Sequence, residues 1–259
     1  MHNLPILISI PHGGSMVPEK LTNNIMLSPL DILEDSDAFT HDIYDIGNHA
    51  EYVIKADIAR AIIDLNRSVD QLPPNHPDGV IKSHTCYDKK IYKHQKSPNK
   101  DTIDSLIRSY YLPYHNQLKH VLNTNGHIKL ALDCHSMAAV GPNNSNDKGK
   151  KRPLMCLGNV WGKTCSSFMI NQIARCFCRS FGFKSTDIQI NKPFAGGYIT
   201  QTYGLERIPW IQVEISRALY LTDKYFDPQR LQINTNRLNE LNQMFKMGLM
   251  LYFNNNKEG

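Results

Sequence analysis

Short apolar runs recur along the chain and are separated by longer stretches in which apolar residues step by three or four positions. Apolar runs of this length, bounded by Pro, Gly and Asn, predict β-strands. The predicted strands cover residues 5–10, 51–55, 61–65, 128–134, 153–159, 188–190 and 210–215.

The amphipathic stretches predict three helices. The first begins at Asp101 and ends at Asn125-Gly126, a typical C-terminal stop, and we expect Pro113 to bend it. The second covers residues 163–181. The third covers residues 228–253, and its apolar stripe comprises Leu231, Leu238, Leu241, Phe245 and Leu249.

Alternating strands and helices predict an α/β fold with a mixed, largely parallel central sheet and helices on both faces. We find no internal repeat and no Gly/Ser linker, so residues 1–259 are expected to form a single domain. In such sheets ligands bind beyond the carboxyl ends of the strands. Polar residues at strand ends are therefore the first candidates for function.

Composition limits the classes of partner. Hydrophobic residues make up 41% of the chain and the formal net charge is +5, without the dense basic stripe of a nucleic-acid binder. This mild positive balance favours a small acidic partner. No run of about 20 apolar residues and no signal peptide is visible, which predicts a cytoplasmic protein without a membrane partner. Homo-oligomer formation stays open. The six cysteines form no C-x-x-C pair and are expected to be free thiols.

Two histidines end predicted strands. His12 follows the first strand and precedes Gly13-Gly14, and His135 lies two positions after Asp133, on the same face of its strand. A histidine taken singly is more often a hydrogen-bonded core or loop residue than a metal ligand. The pair favours a metal site, because zinc prefers imidazole nitrogen together with a carboxylate oxygen.

The segment from Glu34 to Thr40 is the best source of that carboxylate. Asp35 or Asp37 is equally suited to cap a following helix, and one residue can cap while the other binds metal. Spacing alone does not choose between them.

Three further positions carry candidate chemistry. Asn66 and Arg67 close a predicted strand, with Arg60 upstream, and form either a carboxylate clamp or a structural ion pair. Glu214 lies within an apolar strand and needs a partner, because a buried isolated carboxylate is costly. It is either a general base or the partner of Arg217 or Arg60.

Long polar segments complete the pattern. Residues 68–99 and 141–152 are expected to be loops that cover a binding site, although solvated surface is an equal alternative for the second. Gly197 lies in a Gly-Gly pair that predicts a tight loop near the same edge of the sheet.

Taken in order, these motifs resemble the N-formylglutamate amidohydrolase family between residue 6 and about residue 220. The matching pieces are Ile10-Pro11-His12-Gly13-Gly14, Asp37-Ala38-Phe39-Thr40, Asp64-Leu65-Asn66-Arg67, Tyr114-His115, Asp133-Cys134-His135-Ser136, Gly196-Gly197-Tyr198-Ile199 and Gln212-Val213-Glu214-Ile215. Each piece is weak alone, and the ordered set is specific. The resemblance implies a three-layer α/β/α sandwich similar to the zinc carboxypeptidases.

The resemblance also implies roles for single residues. His12 and His135 look like ligands of one zinc ion, and Asn66-Arg67 like a pair that grips a substrate carboxylate. Glu214, as the general base, and Arg67 are the two residues implied to be catalytic. Carboxypeptidases take two ligands from an H-x-x-E motif, whereas Ser15 stands three positions after His12. Asp37 is the third ligand implied here, with Asp35 as the alternative. The positions implied to bind substrate are Arg60, Asn66, Arg67, His115, Gly197 and Arg217.

The implied reaction is zinc-dependent hydrolysis of N-formylglutamate to glutamate and formate, a step of histidine breakdown. Two alternatives stay open: a related metallo-deacylase or carboxypeptidase-type peptidase with another substrate, and a non-catalytic anion-binding protein on the same scaffold. Sequence does not separate these three.

Overall fold

The computed structural model describes residues 3–93, 98–143, 145–205 and 208–255. A six-stranded sheet with the order β2-β1-β3-β6-β4-β5 forms its centre. Its strands are β1 (Leu4–Ile10), β2 (Ala50–Lys55), β3 (Leu130–Met137), β4 (Met155–Gly158), β5 (Ile188–Ile190) and β6 (Trp210–Ser216). Strands β2, β1, β3 and β6 are parallel, whereas β4 pairs antiparallel with β6 and parallel with β5. The predicted mixed, largely parallel sheet is confirmed.

Eight α-helices and a small hairpin surround the sheet in the described part of the chain. The helices are α1 (Glu19–Thr22), α2 (Pro29–Asp35), α3 (Thr40–Tyr44), α4 (Lys100–Leu106), α5 (Leu112–Thr124), α6 (Ser167–Phe181), α7 (Tyr198–Gly204) and α8 (Thr235–Asn255). The hairpin pairs β7 (Phe226–Asp227) with β8 (Gln232–Ile233). No helix among the described residues is both long enough and apolar enough to span a membrane.

The sheet is buried on both faces. Alternate residues of β1 point to opposite sides, so Ile6 and Ile8 join one core cluster and Leu7 joins the other. The first cluster contains the apolar faces of α3, α6 and α8, and the second contains that of α5. Burial on both faces explains the near-continuous apolar runs of the strands and gives the three layers that the sequence predicts.

One predicted strand is wrong. Residues 61–65 form turns rather than a strand, although Ala61, Ile62, Ile63 and Leu65 are fully buried in the second cluster. The run is apolar because it is packed under the sheet, and an apolar run does not distinguish a buried loop from a strand.

The start of the last helix and the regularity of the first predicted helix also differ from prediction. The last helix begins at Thr235 rather than at residue 228, because residues 226–233 form the β7–β8 hairpin and Leu231 adopts a positive φ of 52°. The Asn234 side chain accepts a hydrogen bond from Arg237 N and so caps α8. Before Pro113 the chain forms a π-helical turn, Ile107–Tyr111, which joins α4 to α5. A proline has no N–H to donate, so an irregular turn beside it is expected.

The long loop after residue 67 is packed against the molecule. Val80 and Ile81 are fully buried in the second cluster, and the fully buried Lys82 binds Asp35 of α2. Residues 94–97 of this predicted loop lie outside the described residues. All six cysteines are free, as predicted, and Cys86 and Cys178 are only half-buried.

Candidate metal centre and cavity

The ends of β1, β3 and β6 meet at one edge of the sheet because these strands are parallel. His12 follows β1, and His135 lies near the end of β3. Glu214 lies opposite His135 on β6. Strand β4 runs the other way, so its first residues also lie at this edge. This edge therefore brings His12, His135 and Glu214 together beside the start of β4. Ligand sites in α/β sheets lie at such an edge.

His12 sits on a turn that only small residues allow. A Cβ at Gly13 would lie 2.3 Å from the His41 ring, and one at Gly14 would lie 2.2 Å from the Asp57 backbone. The carbonyl oxygen of His12 accepts a hydrogen bond from Asp37 N at 2.9 Å. This bond brings the turn between α2 and α3 against the end of β1, which places the Asp37 carboxylate beside the His12 ring.

His12, Asp37 and His135 form a buried cluster whose potential ligand atoms all lie within 4.8 Å of one another. Asp37 Oδ2 is 2.9 Å from His135 Nδ1 and 3.4 Å from His12 Nδ1. Ligands of a tetrahedral zinc ion lie about 3.3 Å apart, given bonds of roughly 2.0 to 2.1 Å. The two distances from Asp37 Oδ2 are therefore close to those of a zinc ligand set.

The second nitrogen of each histidine binds a carboxylate. His12 Nε2 donates to Asp64 Oδ1 at 2.8 Å, and His135 Nε2 donates to Asp133 Oδ1 at 3.0 Å. Both Nδ1 atoms consequently face Asp37, and His12 Nδ1 is buried without a hydrogen-bond partner among the described residues. Metal-binding histidines typically have this arrangement, because the outer carboxylate fixes the ring and its tautomer. The residues present fit a metal ion.

The electrostatics of the cluster favour a positive charge. Burial raises the pKa of Asp37, but the neighbouring His12 and His135 imidazoles outweigh it and hold the pKa well below its usual range. Burial lowers the pKa of His135, but the charge and hydrogen bond of Asp133 raise it well above the usual value. The carboxylates around His135 thus stabilise positive charge at this position.

Asp64 and Asn66 connect the cluster to its surroundings. Asp64 is fully buried, and besides His12 it accepts hydrogen bonds from Asn66 N at 2.9 Å and from Arg60 Nε at 3.0 Å. Asn66 Nδ2 lies 3.2 Å from His135 Nε2, and its Oδ1 accepts from Ile199 N. These contacts fix Arg60 and Asn66 next to the two histidines.

Glu214 is held beside the cluster. Gln212 Nε2 donates to Glu214 Oε1 at 2.7 Å, while Gln212 Oε1 accepts from Gly197 N at 2.5 Å. Burial raises the pKa of Glu214 to about 7, with a further contribution from Asp37 and an opposing one from His135. A carboxylate with a pKa near neutrality can both accept and return a proton.

The cluster opens into a cavity of about 360 Å³ that contains His12, Asp37, His135 and Glu214. Asn66 and Gly197 also line it, and a Cβ at position 197 would collide with Asn66 Nδ2 at 2.4 Å. Four arginines stand in the cavity wall, namely Arg60, Arg67, Arg152 and Arg217. Such a cavity suits a small anion.

The four arginines differ in what they bind. Arg67 binds Asp78 through Nε and Nη2, so it forms the structural ion pair that the sequence left open. Arg217 donates to the carbonyl oxygens of Glu34 and Ser36, to Ser136 Oγ and, at 3.4 Å, to Asp37 Oδ1. Four of its five N–H groups are thereby used on protein atoms.

Two predicted assignments do not survive the geometry. His115 is not in the cavity wall but is packed behind it, where it binds Tyr203 Oη at 2.8 Å and the Leu65 carbonyl at 3.0 Å. Burial lowers its pKa to about 4, so it supplies no positive charge at neutral pH. Asp35 binds Lys82 with both oxygens at 3.0 Å and is not a ligand of the cluster.

The expected helix cap is also elsewhere. Ser28 caps α2 through a capping box with Asp31, and Phe39 takes the cap position of α3 without a side-chain hydrogen bond. Neither Asp35 nor Asp37 is therefore a helix cap.

Sequence reasoning missed two residues of the site. The first is Gln212, whose side chain binds Glu214. The signal that indicates this contact is its position two residues before Glu214, on the same face of the strand. Arg152 belongs to the segment whose charged composition equally predicts solvated surface. Its place in the cavity wall follows from the reversed direction of β4, which the sequence does not show.

Comparisons with known proteins were consistent with one another. The sequence model of the family described as N-formylglutamate amidohydrolase matches residues 4–221. An N-formylglutamate deformylase from Pseudomonas putida is 24% identical over 228 residues, which cover 85% of this chain and 83% of that protein.

Two crystal structures have a similar fold. An N-formylglutamate amidohydrolase from Ralstonia eutropha JMP134 is 20% identical, with a TM-score of 0.80 and coverage of 100% of this chain and 96% of that one. A gene product from Agrobacterium tumefaciens is 11% identical, with a TM-score of 0.63 and coverage of 99% and 93%. The fold is therefore shared along the whole chain.

Proposed function

Because the chain belongs to the N-formylglutamate amidohydrolase family, we propose that it hydrolyses the amide bond of an N-acylated acidic amino acid, with N-formylglutamate as substrate. The observation that carries this proposal is the position of Glu214 beside the His12, Asp37 and His135 cluster, in a cavity lined by arginines. The products are formate and glutamate.

We further propose that the cofactor is one zinc ion per chain, held by His12, Asp37 and His135. Two imidazoles and one carboxylate are a ligand set that zinc uses in catalytic sites, where one position stays open. When bound, zinc polarises a carbonyl group and lowers the pKa of water. The buried Nδ1 of His12, which has no hydrogen-bond partner in the described part of the chain, supports this assignment.

The residues of the chain divide the remaining chemistry. Glu214 accepts a proton from the attacking water as its oxygen bonds to the formyl carbon. The C–N bond then breaks, and Glu214 returns the proton to the leaving nitrogen. Gln212 keeps the Glu214 carboxylate in place throughout. Burial suits this role, because it raises the pKa of Glu214 and so makes its carboxylate a stronger base.

Arginines provide the anion binding. Arg60 uses only Nε on the protein, and its Nη1 and Nη2 groups have no acceptor in the described part of the chain. The Asp64 carboxylate binds both Arg60 and His12 and so holds Arg60 close to the candidate metal centre. Arg60 is therefore suited to stabilise negative charge that develops on the formyl oxygen. Asn66 and Arg67 line the same cavity, and the two Arg67 N–H groups that do not bind Asp78 or the Asn66 carbonyl are suited to bind the α-carboxylate. Arg217 acts by holding Asp37 and the turn around it.

The proposal is tested by measuring formate release from N-formyl-L-glutamate by zinc-loaded protein, with a chelated sample for comparison. We expect turnover that is lost on chelation and restored by zinc. Absence of formate release from protein with a full complement of zinc would contradict the proposed activity.

The matched variant is Glu214→Gln, whose amide cannot accept the proton. Its kcat should fall by roughly 10² to 10⁴-fold while its zinc content stays that of wild type. Activity within tenfold of wild type would remove Glu214 from its role as the base.

A further inference from the structure

The segment between β3 and β4 forms one wall of the cavity, for a topological reason. Strand β3 ends at the edge of the sheet that carries the candidate metal ligands, here called the ligand edge. Strand β4 is antiparallel to β6 and therefore begins at that same edge. The connection over residues 138–154 therefore begins and ends at this edge. Pro142, Ser145 and Arg152 of this connection line the cavity.

Arg152 is fixed in this wall with one edge of its guanidinium uncommitted. Its Nε and Nη2 atoms bind the two oxygens of Asp147 at 2.7 and 2.8 Å, and its Cζ atom lies 4.9 Å from the centre of the Phe194 ring. The hydrogen bond with Arg152 holds the pKa of Asp147 well below its usual range, so the pair stays ionised. Nη1 has no acceptor among the described residues, although the side chain is only 5% exposed.

Arg152 is also the cavity arginine that stands apart from the metal centre. Arg60 is linked to His12 through Asp64, and Arg217 contacts Asp37 directly. Arg67 follows Asn66, which contacts His135. In the described part of the chain the Arg152 guanidinium binds Asp147 and lies over the Phe194 ring, and neither residue forms a hydrogen bond or ion pair with a candidate ligand. A group bound by Arg152 is therefore distal to the reacting amide.

We propose that Arg152 determines specificity by binding the side-chain carboxylate of the substrate through the Nη1/Nη2 edge of its guanidinium. A guanidinium has two edges that match a carboxylate, and Asp147 occupies one of them. The second anionic group of an N-acylated acidic amino acid fits the other. This inference rests on the proposed function and adds to it the reason for preferring an acidic over a neutral side chain.

The test compares N-formyl-L-glutamate with N-formyl-L-glutamine, which differs only in replacing the side-chain carboxylate by an amide. In the Arg152→Gln variant, kcat/KM for N-formyl-L-glutamate should fall by roughly 10²-fold, through KM, because a charge-assisted bidentate contact is lost. For N-formyl-L-glutamine it should change by less than about threefold. Arg152→Lys keeps the charge without the paired donors and should lose roughly tenfold on the acidic substrate alone.

Arg237→Gln is the matched control. Arg237 also pairs with a carboxylate, that of Glu240, and also stacks on an aromatic ring, that of Tyr225, but it lies outside the cavity. This variant should leave both substrates unaffected. If Arg152→Gln does not fold, as judged by circular dichroism, Arg152→Lys decides the question.

The outcomes separate the two proposals. Equal losses on the two substrates, or no loss on either, would overturn the role of Arg152 while leaving the amidohydrolase activity in place. Equal rates of the two substrates with wild type would do the same. Failure of zinc-loaded wild type to hydrolyse either substrate would overturn the proposed function and this inference with it.

Discussion

At the scale of single residues, the candidate metal centre depends on carboxylates that lie behind its ligands. Asp64 and Asp133 are both fully buried and each binds the Nε2 atom of one histidine. Because each Nε2 keeps its proton for a carboxylate, each Nδ1 can present its lone pair toward Asp37. The geometry of the ligands is thus set by residues that would not touch the metal.

Replacing Asp133 by asparagine tests this arrangement. Asp133→Asn keeps the size of the side chain but removes the charge that orients His135, so the Kd for zinc should rise by roughly 10- to 100-fold. The measurement is competition with a chromophoric chelator. Asp45→Asn removes a carboxylate that pairs with Lys55 outside the cavity, and it should leave the Kd unchanged. A Kd for Asp133→Asn equal to that of wild type would refute the role of Asp133.

His115 makes a different residue-scale prediction, because it is buried and uncharged. Burial lowers its pKa to about 4, from 6.5 in the absence of structure. As pH falls below 6.5 the unfolded chain binds this proton and the native chain does not, so the native state loses stability down to about pH 4. From pH 7 to pH 4 this loss should reach about 3 kcal/mol.

The variant His115→Gln isolates that contribution. Glutamine retains a donor and an acceptor but does not titrate, so the stability difference between wild type and variant should shrink by about 3 kcal/mol between pH 7 and pH 4. Urea unfolding at each pH measures it. His120→Gln changes an exposed histidine of the same helix α5 and should follow wild type. A constant difference between wild type and His115→Gln across this range would show that His115 is not held neutral.

Residue types at strand ends carry most of what the sequence reveals about the site. His12 and His135 could be predicted because each ends an apolar run, and Asp37 because the resemblance places a ligand there. His115 misled because a conspicuous Tyr-His pair on a helix does not show which face is buried. Arg152 could not be predicted, since its place in the cavity wall depends on the direction of β4 rather than on its neighbours in sequence.

At the scale of elements, the loop after residue 67 is anchored by one buried ion pair. Lys82 and Asp35 are fully buried, and Asp35 also accepts a hydrogen bond from Cys86 N. Cys86 and Tyr87, just beyond the anchor, line the cavity. The pair therefore fixes the part of this loop that forms the cavity wall to helix α2.

Replacing only one partner of the Lys82–Asp35 ion pair should lower the free energy of unfolding more than replacing both partners by apolar residues. Lys82→Met leaves the Asp35 carboxylate buried without its cation and should lower the free energy of unfolding by about 3 to 5 kcal/mol. The double variant Asp35→Leu/Lys82→Met should recover at least half of that loss. Urea unfolding of the three proteins measures both effects. A double variant less stable than Lys82→Met would show that the pair itself, rather than the stranded charge, governs stability.

Element prediction failed where burial and secondary structure are not the same. The strands around β1, β3 and β6 were found because they are apolar and short, whereas residues 61–65 are equally apolar and form turns. The start of α8 was misplaced because Leu231 continues the helical spacing by chance while its positive φ places it in a hairpin. The local pattern of apolar residues predicts which residues are buried more reliably than it predicts their backbone hydrogen bonding.

At the scale of the whole molecule, the three candidate ligands come from distant parts of the sequence. His12 follows β1, Asp37 lies between two helices and His135 lies near the end of β3. Alternation of strands and helices was sufficient to predict a mixed, largely parallel sheet, but not the order of its strands. That order depends on long-range pairing, and it is what brings β4 and Arg152 back to the ligand edge.

A metal ion bound by three distant segments should stabilise the folded state. The unfolded chain lacks the preformed site, so zinc at 100 times its Kd should add about 2.7 kcal/mol and raise the Tm by roughly 5 to 10 °C. Differential scanning calorimetry with and without zinc measures this shift. An unchanged Tm at saturating zinc would show that the metal does not bind the native fold selectively.

The most direct test of the account is the zinc content of purified, dialysed protein, determined by inductively coupled plasma mass spectrometry for wild type and for the variant His12→Ala/His135→Ala. We expect about one zinc ion per wild-type chain and less than about a tenth of that in the variant, because a single carboxylate does not retain zinc. Equal zinc content in the two proteins, or no zinc in wild type after supplementation, would contradict the assignment of these residues as the metal centre.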